Sequence, residues 1–125
     1  MPGTARKISR SEADQFEKHG IELWDYFGED GPPEGEVLYL ETEDGHAEEF
    51  YNEESAFFYY VVEGEGSFYL DREEVAVSPG DLVYAPAETR IYYVGAMKFL
   101  LFVTPPWTPE QEVHVRDIDL GDTGG

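Results

Sequence analysis

The sequence predicts an all-β domain that folds as a compact antiparallel barrel. Short apolar or alternating stretches recur along the chain, glycines and prolines separate them at close spacing, and no strand–helix–strand pattern repeats. These stretches correspond to roughly eight to ten short strands. The 125 residues form one domain, which is large enough to remove roughly two thirds of the unfolded chain's surface from water.

The N-terminal residues are predicted to form an arm and a short helix. Residues 1–10 are basic and make up the arm. Ser11 is a typical N-cap, acidic residues follow it in the first turn, and Gly20 is a typical stop, so residues 11–20 are interpreted as a helix. His19 is expected to act as a cation near the C-terminus of this helix.

Three strands are predicted next, over residues 21–27, 37–44 and 45–52, with a loop at 28–36. The stretch FFYYVV that follows, residues 57–62, is apolar or aromatic at every position. Because side chains alternate along a strand, one set is predicted to face the core: Phe57, Tyr59 and Val61. The other set needs a second cover, which a partner subunit in a homodimer is expected to supply: Phe58, Tyr60 and Val62.

The stretch from Gly64 to Arg90 is interpreted as the middle of the barrel. It contains a turn at residues 71–74, the strand EVAV, a turn at residues 78–80 and the strand DLVYAP. The stretches RIYYVG and MKFLLFVTPP predict two further strands, and EVHVRDIDL alternates like an edge strand. The chain is predicted to finish in a flexible tail, residues 121–125.

Composition excludes several classes of site and partner. The chain has no cysteine, which excludes disulfides and thiolate metal sites, and its three histidines are widely separated. Twenty-eight acidic residues against eight basic ones give a formal charge of -20. Because such a surface repels phosphate backbones and anionic lipids, nucleic acid and membrane partners are not expected. No apolar membrane span or signal-peptide core is found, so we expect a cytoplasmic location.

Residues 37–115 carry a glycine and proline pattern that resembles a known family. The segment YYVVEGEGSFYLD, which contains Gly64, resembles the end of the first cupin motif. The segment SPGDLVYAPAETRIYY, which contains Gly80 and Pro86, resembles the second motif. The resemblance implies a small single-domain cupin of type 2, with a double-stranded β-helix, or jelly roll, that forms an antiparallel barrel over these residues.

The resemblance also implies positions for a metal site, which cupins build from three histidines and one glutamate. This chain departs from the family there. Counted from Gly64, the glutamate position is Phe57, and the second motif puts Ile91 at the third histidine position. The remaining histidine positions are Phe50 and Asn52 with one motif spacing, or Tyr51 and Glu53 with the other. Because hydrocarbon side chains cannot bind an ion, we expect degenerate metal motifs with no metal and no other cofactor.

The same register predicts an aromatic ligand pocket inside the barrel. Aromatic walls with a few directional polar groups are typical of small-molecule sites, and aromatic faces also suit sugar rings. The predicted pocket residues are Phe50, Asn52, Phe57, Tyr59, Arg90, Ile91 and Tyr93. His46 and Glu48 lie two residues apart and point the same way on a strand, which leaves open a metal site outside the family motif.

Three functions remain open. The first is a metal-free barrel that binds a small organic ligand, such as a carbohydrate-like one. The second is a metal-independent isomerase, epimerase or lyase, with Tyr59, Tyr93 and His46 as candidate catalytic residues. The third is a non-catalytic homodimeric module whose barrel is filled by its own side chains. An open cavity that touches Asn52 and Tyr93 would favour the first two functions, and closed packing would favour the third.

The acidic composition predicts that salt stabilises the fold. A charge of -20 with few lysines is consistent with halophilic adaptation as well as with simple solubility. Self-repulsion weakens the compact state, and molar salt shortens the Debye length to about 3 Å. We therefore expect the melting temperature to rise between low and molar potassium chloride, as followed by circular dichroism. A melting temperature that is flat or falls would contradict this expectation.

Overall fold

The computed structural model describes residues 5–28 and 31–120. Over these residues the chain is an all-β structure without α-helices, and short 3-10 turns lie at Arg10–Glu12 and Pro109–Gln111. None of its helical segments has the length and apolar character needed to cross a bilayer. The strands are β1 (Asp14–Lys18), β2 (Ile21–Asp25), β3 (Glu36–Thr42), β4 (Glu48–Asn52), β5 (Ala56–Leu70), β6 (Glu73–Val77), β7 (Leu82–Ala85), β8 (Ile91–Thr104) and β9 (Glu112–Asp117).

Strands β5 and β8 form the spine of the fold. They pair antiparallel along their whole length, from Ala56 opposite Thr104 to Leu70 opposite Ile91. In one half of this pair, β7 lies beside β5, and β3 lies beside β8 and is followed by β2 and β1. In the other half, β6 lies beside β5, and β4 lies beside β8 and is followed by β9. The sheet curls so that both halves contribute to one buried cluster. The predicted all-β class and antiparallel barrel are confirmed.

The spine bends at a register shift between Val61 and Glu63. Just beyond it, Gly64 has a φ of +90°, and a Cβ added there would overlap the carbonyl oxygen of Ala96. Glycine is therefore required by both the backbone angle and the closeness of β8. The bend lets the same two strands serve both halves of the barrel.

Four aromatic rings pack against one another in the interior, on both sides of this bend. They belong to Tyr59, Phe68, Tyr93 and Phe99, and their centroids lie 4.8–5.8 Å apart. We call them the four-ring cluster. The predicted alternation of β5 is also confirmed, since Tyr59 and its inward neighbours are buried, whereas Tyr60 is 46% exposed.

Residues 11–20 do not form the predicted helix. After a single 3-10 turn, β1 pairs with β2 along its whole length. His19 and Gly20 have φ values of 52° and 85°, which is the backbone geometry of a two-residue hairpin turn. Gly20 therefore ends a strand, and His19 lies in the turn. Backbone pairing with β2 outweighs the weak helical tendency of an isolated ten-residue segment.

The stretches RIYYVG and MKFLLFVTPP were predicted as two strands, and they form the single strand β8. The expected break at Gly95 does not occur because β5 runs alongside and supplies partners on both sides of it, with Gly66 opposite Gly95. The predicted edge strand is confirmed, since β9 pairs only with β4 among the described residues. The predicted tail, residues 121–125, lies outside the described residues.

The close approach at Gly64 generates a stability prediction. Gly64→Ala should destabilise the fold through its positive φ, which costs roughly 1–3 kcal/mol, and through overlap with β8. Gly80→Ala is the matched control, because Gly80 has a φ of +95° but nothing within 4 Å of an added Cβ. In denaturant titrations we expect Gly64→Ala to lose at least about 1 kcal/mol more than the control. Equal losses would show that the contact with β8 is unimportant.

Candidate functional site

An open cavity of about 270 Å³ lies inside the barrel. Its size is near the lower end of small-molecule pockets, which span ~300–1,000 Å³. The walls are mostly apolar. All strands other than β6 and β7 contribute to them, and so do the segments that precede β4 and β9. The lining residues are Phe16, Lys18, Ile21, Leu23, Asp25, Glu36, Leu38, Leu40, His46, Phe50, Phe57, Tyr59, Tyr93, Leu101, Val103, Trp107 and Glu112.

His46 presents an unprotonated ring nitrogen at this cavity. Its Nδ1 lies 2.6 Å from the carbonyl oxygen of Glu48, and because a carbonyl oxygen only accepts, Nδ1 carries the proton. Burial lowers the pKa of His46 to about 4, against a smaller opposing effect of this hydrogen bond. At neutral pH the ring is therefore uncharged, and Nε2 can accept a hydrogen bond or a proton.

Two phenols, those of Tyr59 and Tyr93, also line the cavity. Their rings are almost fully buried in the four-ring cluster. Among the described residues, neither phenol oxygen has a hydrogen-bond partner in the protein. Burial raises the pKa of both side chains, so both phenols keep their protons. They are thus available as donors to a ligand oxygen.

An ion pair and an indole link three separate segments at the cavity wall. Lys18 Nζ lies 3.2 Å from Glu112 Oε2 and 4.9 Å from the centroid of the Trp107 ring. Trp107 Nε1 donates to Glu112 Oε1 at 3.1 Å. These contacts join β1, β9 and the segment after β8. The ammonium is therefore held beside the cavity with its charge already balanced by a carboxylate.

Two further carboxyl groups line the cavity, those of Asp25 and Glu36. Asp25 Oδ1 accepts hydrogen bonds from the backbone N–H groups of Phe27 and Gly28, both at 3.2 Å. Glu36 accepts one from the backbone N–H of Trp107. Burial, with a smaller contribution from the neighbouring Asp25, raises the pKa of Glu36 to about 7, while the Trp107 hydrogen bond opposes the change. Glu36 therefore holds a proton close to neutral pH.

The structure brings four of the seven predicted pocket residues to the cavity, together with His46: Phe50, Phe57, Tyr59 and Tyr93. The other three lie elsewhere. Ile91 is buried in the core opposite Phe50. Asn52 is buried further along β4, where its carbonyl accepts from the N–H of Glu88. Arg90 is exposed, and its backbone N–H donates to Asp71.

The charged residues of the cavity were not predicted. Lys18, Asp25 and Glu36 each continue an alternating series of apolar residues on β1, β2 or β3, so that they share a face with Phe16, Leu23 or Leu38. This alternation was a usable signal. It was missed for Lys18 because its segment was interpreted as a helix, and for Glu36 because this residue fell in the predicted loop 28–36. Asp25 lay inside the predicted strand 21–27 but was not singled out.

The residues present do not fit the metal site that the resemblance implies. Phe50, Phe57 and Ile91 place hydrocarbon at its ligand positions. Among the described residues, no group of three or more histidine, cysteine, aspartate or glutamate side chains could hold an ion. The Glu48 carboxylate lies between His114 Nδ1, at 2.6 Å, and His19 Nε2, at 3.1 Å. The His46 ring hydrogen-bonds to the main-chain carbonyl of Glu48 and not to its carboxylate.

Comparisons with known proteins agree on the fold. A family model described as "Cupin domain" matches residues 35–109, and a search of curated proteins found no match. The structure of Pac13, described as a unique nucleoside dehydratase, is 40% identical and has a TM-score of 0.89, with 95% of this chain and 98% of that chain covered. A protein from Planctomyces limnophilus at 21% identity has a TM-score of 0.78, with 88% and 96% covered, and supports the fold alone.

Structures of Streptomyces PAC13 variants with uridine are about as similar to this chain as the Pac13 structure is. The variant in which a histidine is replaced by glutamine is 39% identical, with a TM-score of 0.90 and 95% and 98% of the two chains covered. In two other variants a tyrosine is replaced by phenylalanine, each at a different position. Nearly the full length of both chains is matched.

The raised pKa of Glu36 generates a prediction about pH and stability. The folded protein retains this proton up to about pH 7, whereas an ordinary glutamate loses it near 4.5. Between these values the native state binds more protons than the unfolded state, so this contribution to stability declines as the pH rises. The free energy of unfolding of wild type, compared with that of Glu36→Gln, should fall between pH 4.5 and about 7. Above this range the two free energies should change in parallel with pH.

Chemical denaturation of both proteins across this pH range measures the difference. Asp25→Asn is the matched control, since it removes the neighbouring charge and should move the midpoint of the difference towards lower pH. Parallel curves for wild type and Glu36→Gln over the whole range would contradict the assignment.

Proposed function

The chain belongs to the cupin domain family, and on that premise we propose that its cavity binds an uncharged nucleoside and eliminates water from a carbonyl-bearing form of it. The reaction is that of a metal-independent lyase. The observation that carries the proposal is the position of three side chains, His46, Tyr59 and Tyr93, which line one cavity and offer one acceptor nitrogen and two donor hydroxyls.

The spacing of these residues supports the link to nucleosides. In the PAC13 variants, the first replaced tyrosine lies thirteen residues after the replaced histidine, and the second lies thirty-four residues after the first. His46, Tyr59 and Tyr93 are separated by the same two intervals and are of the same residue types. PAC13 variants at all three positions are described with uridine. This agreement supports a shared ligand class.

The charges of the cavity favour an uncharged ligand. Asp25, Glu36 and Glu112 line it against the single ammonium of Lys18, which is already paired with Glu112. The whole chain carries a formal charge of -20. A phosphate would meet unfavourable potential from both. A nucleoside therefore fits better than a nucleotide.

The chemistry follows from the protonation states. His46 has a pKa of about 4 and is a weak base, so the C–H bond that it attacks must be acidified by an adjacent carbonyl. The phenols of Tyr59 and Tyr93 stabilise the negative oxygen that forms there by hydrogen bonding. The proton taken by Nε2 can then pass to the departing hydroxyl group, which leaves as water.

Calorimetric titration with uridine tests the binding site. Wild type should bind uridine and should bind uridine monophosphate at least about tenfold more weakly. Tyr93→Phe should weaken uridine binding by about fivefold, the equivalent of one neutral hydrogen bond. Tyr92→Phe is the matched control, since Tyr92 stacks on Tyr69 outside the cavity. Absence of uridine binding to the wild type would overturn the proposal.

Turnover distinguishes a lyase from a binding protein. With a nucleoside whose sugar carries an aldehyde or ketone next to the C–H bond, wild type should form the unsaturated product, measured by mass spectrometry as a loss of water. His46→Gln should retain uridine binding within a few fold and lose turnover. A wild type that binds uridine but dehydrates none of these compounds would leave only the binding function.

A further inference from the structure

Asp25 and Glu36 form a pair of carboxyl groups at one end of the cavity. Asp25 is the last residue of β2 and follows Ile21 and Leu23 on the cavity side, and Glu36 is the first residue of β3. Asp25 lies opposite Leu38, the next residue of β3 on that side after Glu36. Side chains in such diagonal positions on neighbouring strands are within reach of each other, and these two carboxyl groups are hydrogen-bonded.

His46 lies at the other end of the cavity. Its ring centroid is 5.4 Å from that of His19, and the backbone N–H of Ala47 donates to the carbonyl oxygen of His19, just before β2 begins at Ile21. From Ile21 to Asp25 an extended strand rises roughly 13 Å. Side chains at both ends take up part of this span, and the remainder is comparable to the length of a nucleoside. The cavity therefore has two separate polar ends.

Main-chain N–H groups fix one oxygen of each carboxyl group in the pair. Asp25 Oδ1 accepts from Phe27 and Gly28, and Glu36 Oε1 accepts from Trp107. Among the described residues, the second oxygen of each group accepts no main-chain hydrogen bond, so it remains for the other carboxyl group or for a ligand. Since burial keeps a proton on Glu36 up to about pH 7, the pair offers one hydrogen-bond donor beside one acceptor.

Two aromatic side chains line the cavity near this pair, those of Trp107 and Phe16. The backbone N–H of Trp107 contacts Glu36 directly, and Phe16 lies opposite Leu23, two residues before Asp25. Planar bases stack on such aromatic faces. This end of the cavity thus combines surfaces for a flat ring with polar groups for the edge of that ring.

We propose that the Asp25–Glu36 pair recognises the imide edge of a uracil base, while the sugar lies at the end of the cavity formed by His46. This inference rests on the proposed function and names the part of the nucleoside that the cavity selects. The ring N–H of uracil donates to Asp25, and Glu36 donates to a neighbouring carbonyl oxygen of the base. A bound uracil thereby replaces the single hydrogen bond within the pair by two. A base without this N–H leaves the carboxylate of Asp25 without its donor.

Calorimetric titration with uridine and 3-methyluridine at pH 6 tests the inference. Wild type should bind 3-methyluridine at least about tenfold more weakly, because the methyl group replaces the N–H donor. Asp25→Asn keeps an oxygen for the main-chain N–H groups but presents an amide N–H₂ group to the ring N–H. Its affinity for uridine should fall at least about tenfold, and its preference for uridine over 3-methyluridine should shrink to about twofold or less.

Glu41→Gln is the matched control for substitutions of a carboxyl group. Glu41 lies on β3 like Glu36, but it accepts a hydrogen bond from Tyr39 and does not line the cavity. The control should keep the wild-type preference for uridine over 3-methyluridine.

The pH dependence of uridine binding tests the role of Glu36 separately. Only the protonated form of Glu36 is a donor, and its pKa is about 7, so the affinity of wild type should fall roughly 30-fold between pH 6 and pH 8.5. Glu36→Gln carries an amide donor at every pH, and its affinity should change less than about threefold. The comparison separates Glu36 from the other ionisable groups that face this end or line the walls. These groups are Asp14, Asp25, Lys18, His46 and Glu112.

The outcomes separate this inference from the proposed function. A wild type that binds uridine and 3-methyluridine equally well would overturn the inference and leave the proposed function intact. A preference that persists unchanged in Asp25→Asn, or a pH profile that wild type shares with Glu36→Gln, would do the same. Absence of uridine binding to wild type would overturn both. The two wild-type measurements decide the outcome even if a variant has a lowered melting temperature.

Discussion

Packing of four aromatic rings across the bend of the spine is the interaction on which the rest of the structure depends. Tyr59 and Phe99 lie on one side of the bend, and Phe68 and Tyr93 on the other. The rings contact one another mostly edge to face or tilted, which are the arrangements that aromatic quadrupoles favour. Loss of one such ring from a core typically costs about 3–5 kcal/mol.

The same cluster also builds the candidate site. Tyr59 and Tyr93 belong to the buried core and also line the cavity. The backbone carbonyl of Tyr93 accepts from the N–H of His46, at 2.8 Å. The donor hydroxyls and the acceptor nitrogen are thus held by the element that closes the barrel. A site supported in this way needs little rearrangement to bind its ligand.

Burial sets the protonation states of the groups that line the cavity, which differ from those of the strongly charged surface. The surface carries many ionised carboxylates, whereas the pKa of His46 is lowered, the phenols keep their protons and Glu36 titrates near neutrality. The common cause is desolvation, which disfavours the charged form of every group. The interior is consequently suited to uncharged, polar ligands and to proton transfer.

Part of the candidate site could be predicted from the sequence. Phe50, Phe57, Tyr59 and Tyr93 were found because a barrel strand alternates and the family resemblance supplied the register. His46 was recognised as sharing their parity, but its tautomer depends on the carbonyl of Glu48, which no pattern reveals. Asn52 and Ile91 were assigned to the pocket by parity, which says nothing about how far along a strand a cavity extends, and Arg90 was expected near its mouth.

By itself, the sequence determined the all-β class and the inward and outward faces of β5, because these follow from residue type and a period of two. The family resemblance, and not periodicity, located the expected metal positions, where this chain carries hydrocarbon. The tertiary structure decided that residues 14–18 form a strand, that β8 is continuous, and that Lys18, Asp25, Glu36 and Glu112 meet at one cavity. Those outcomes depend on backbone pairing between segments distant in sequence, and such long-range pairing outweighs local propensity.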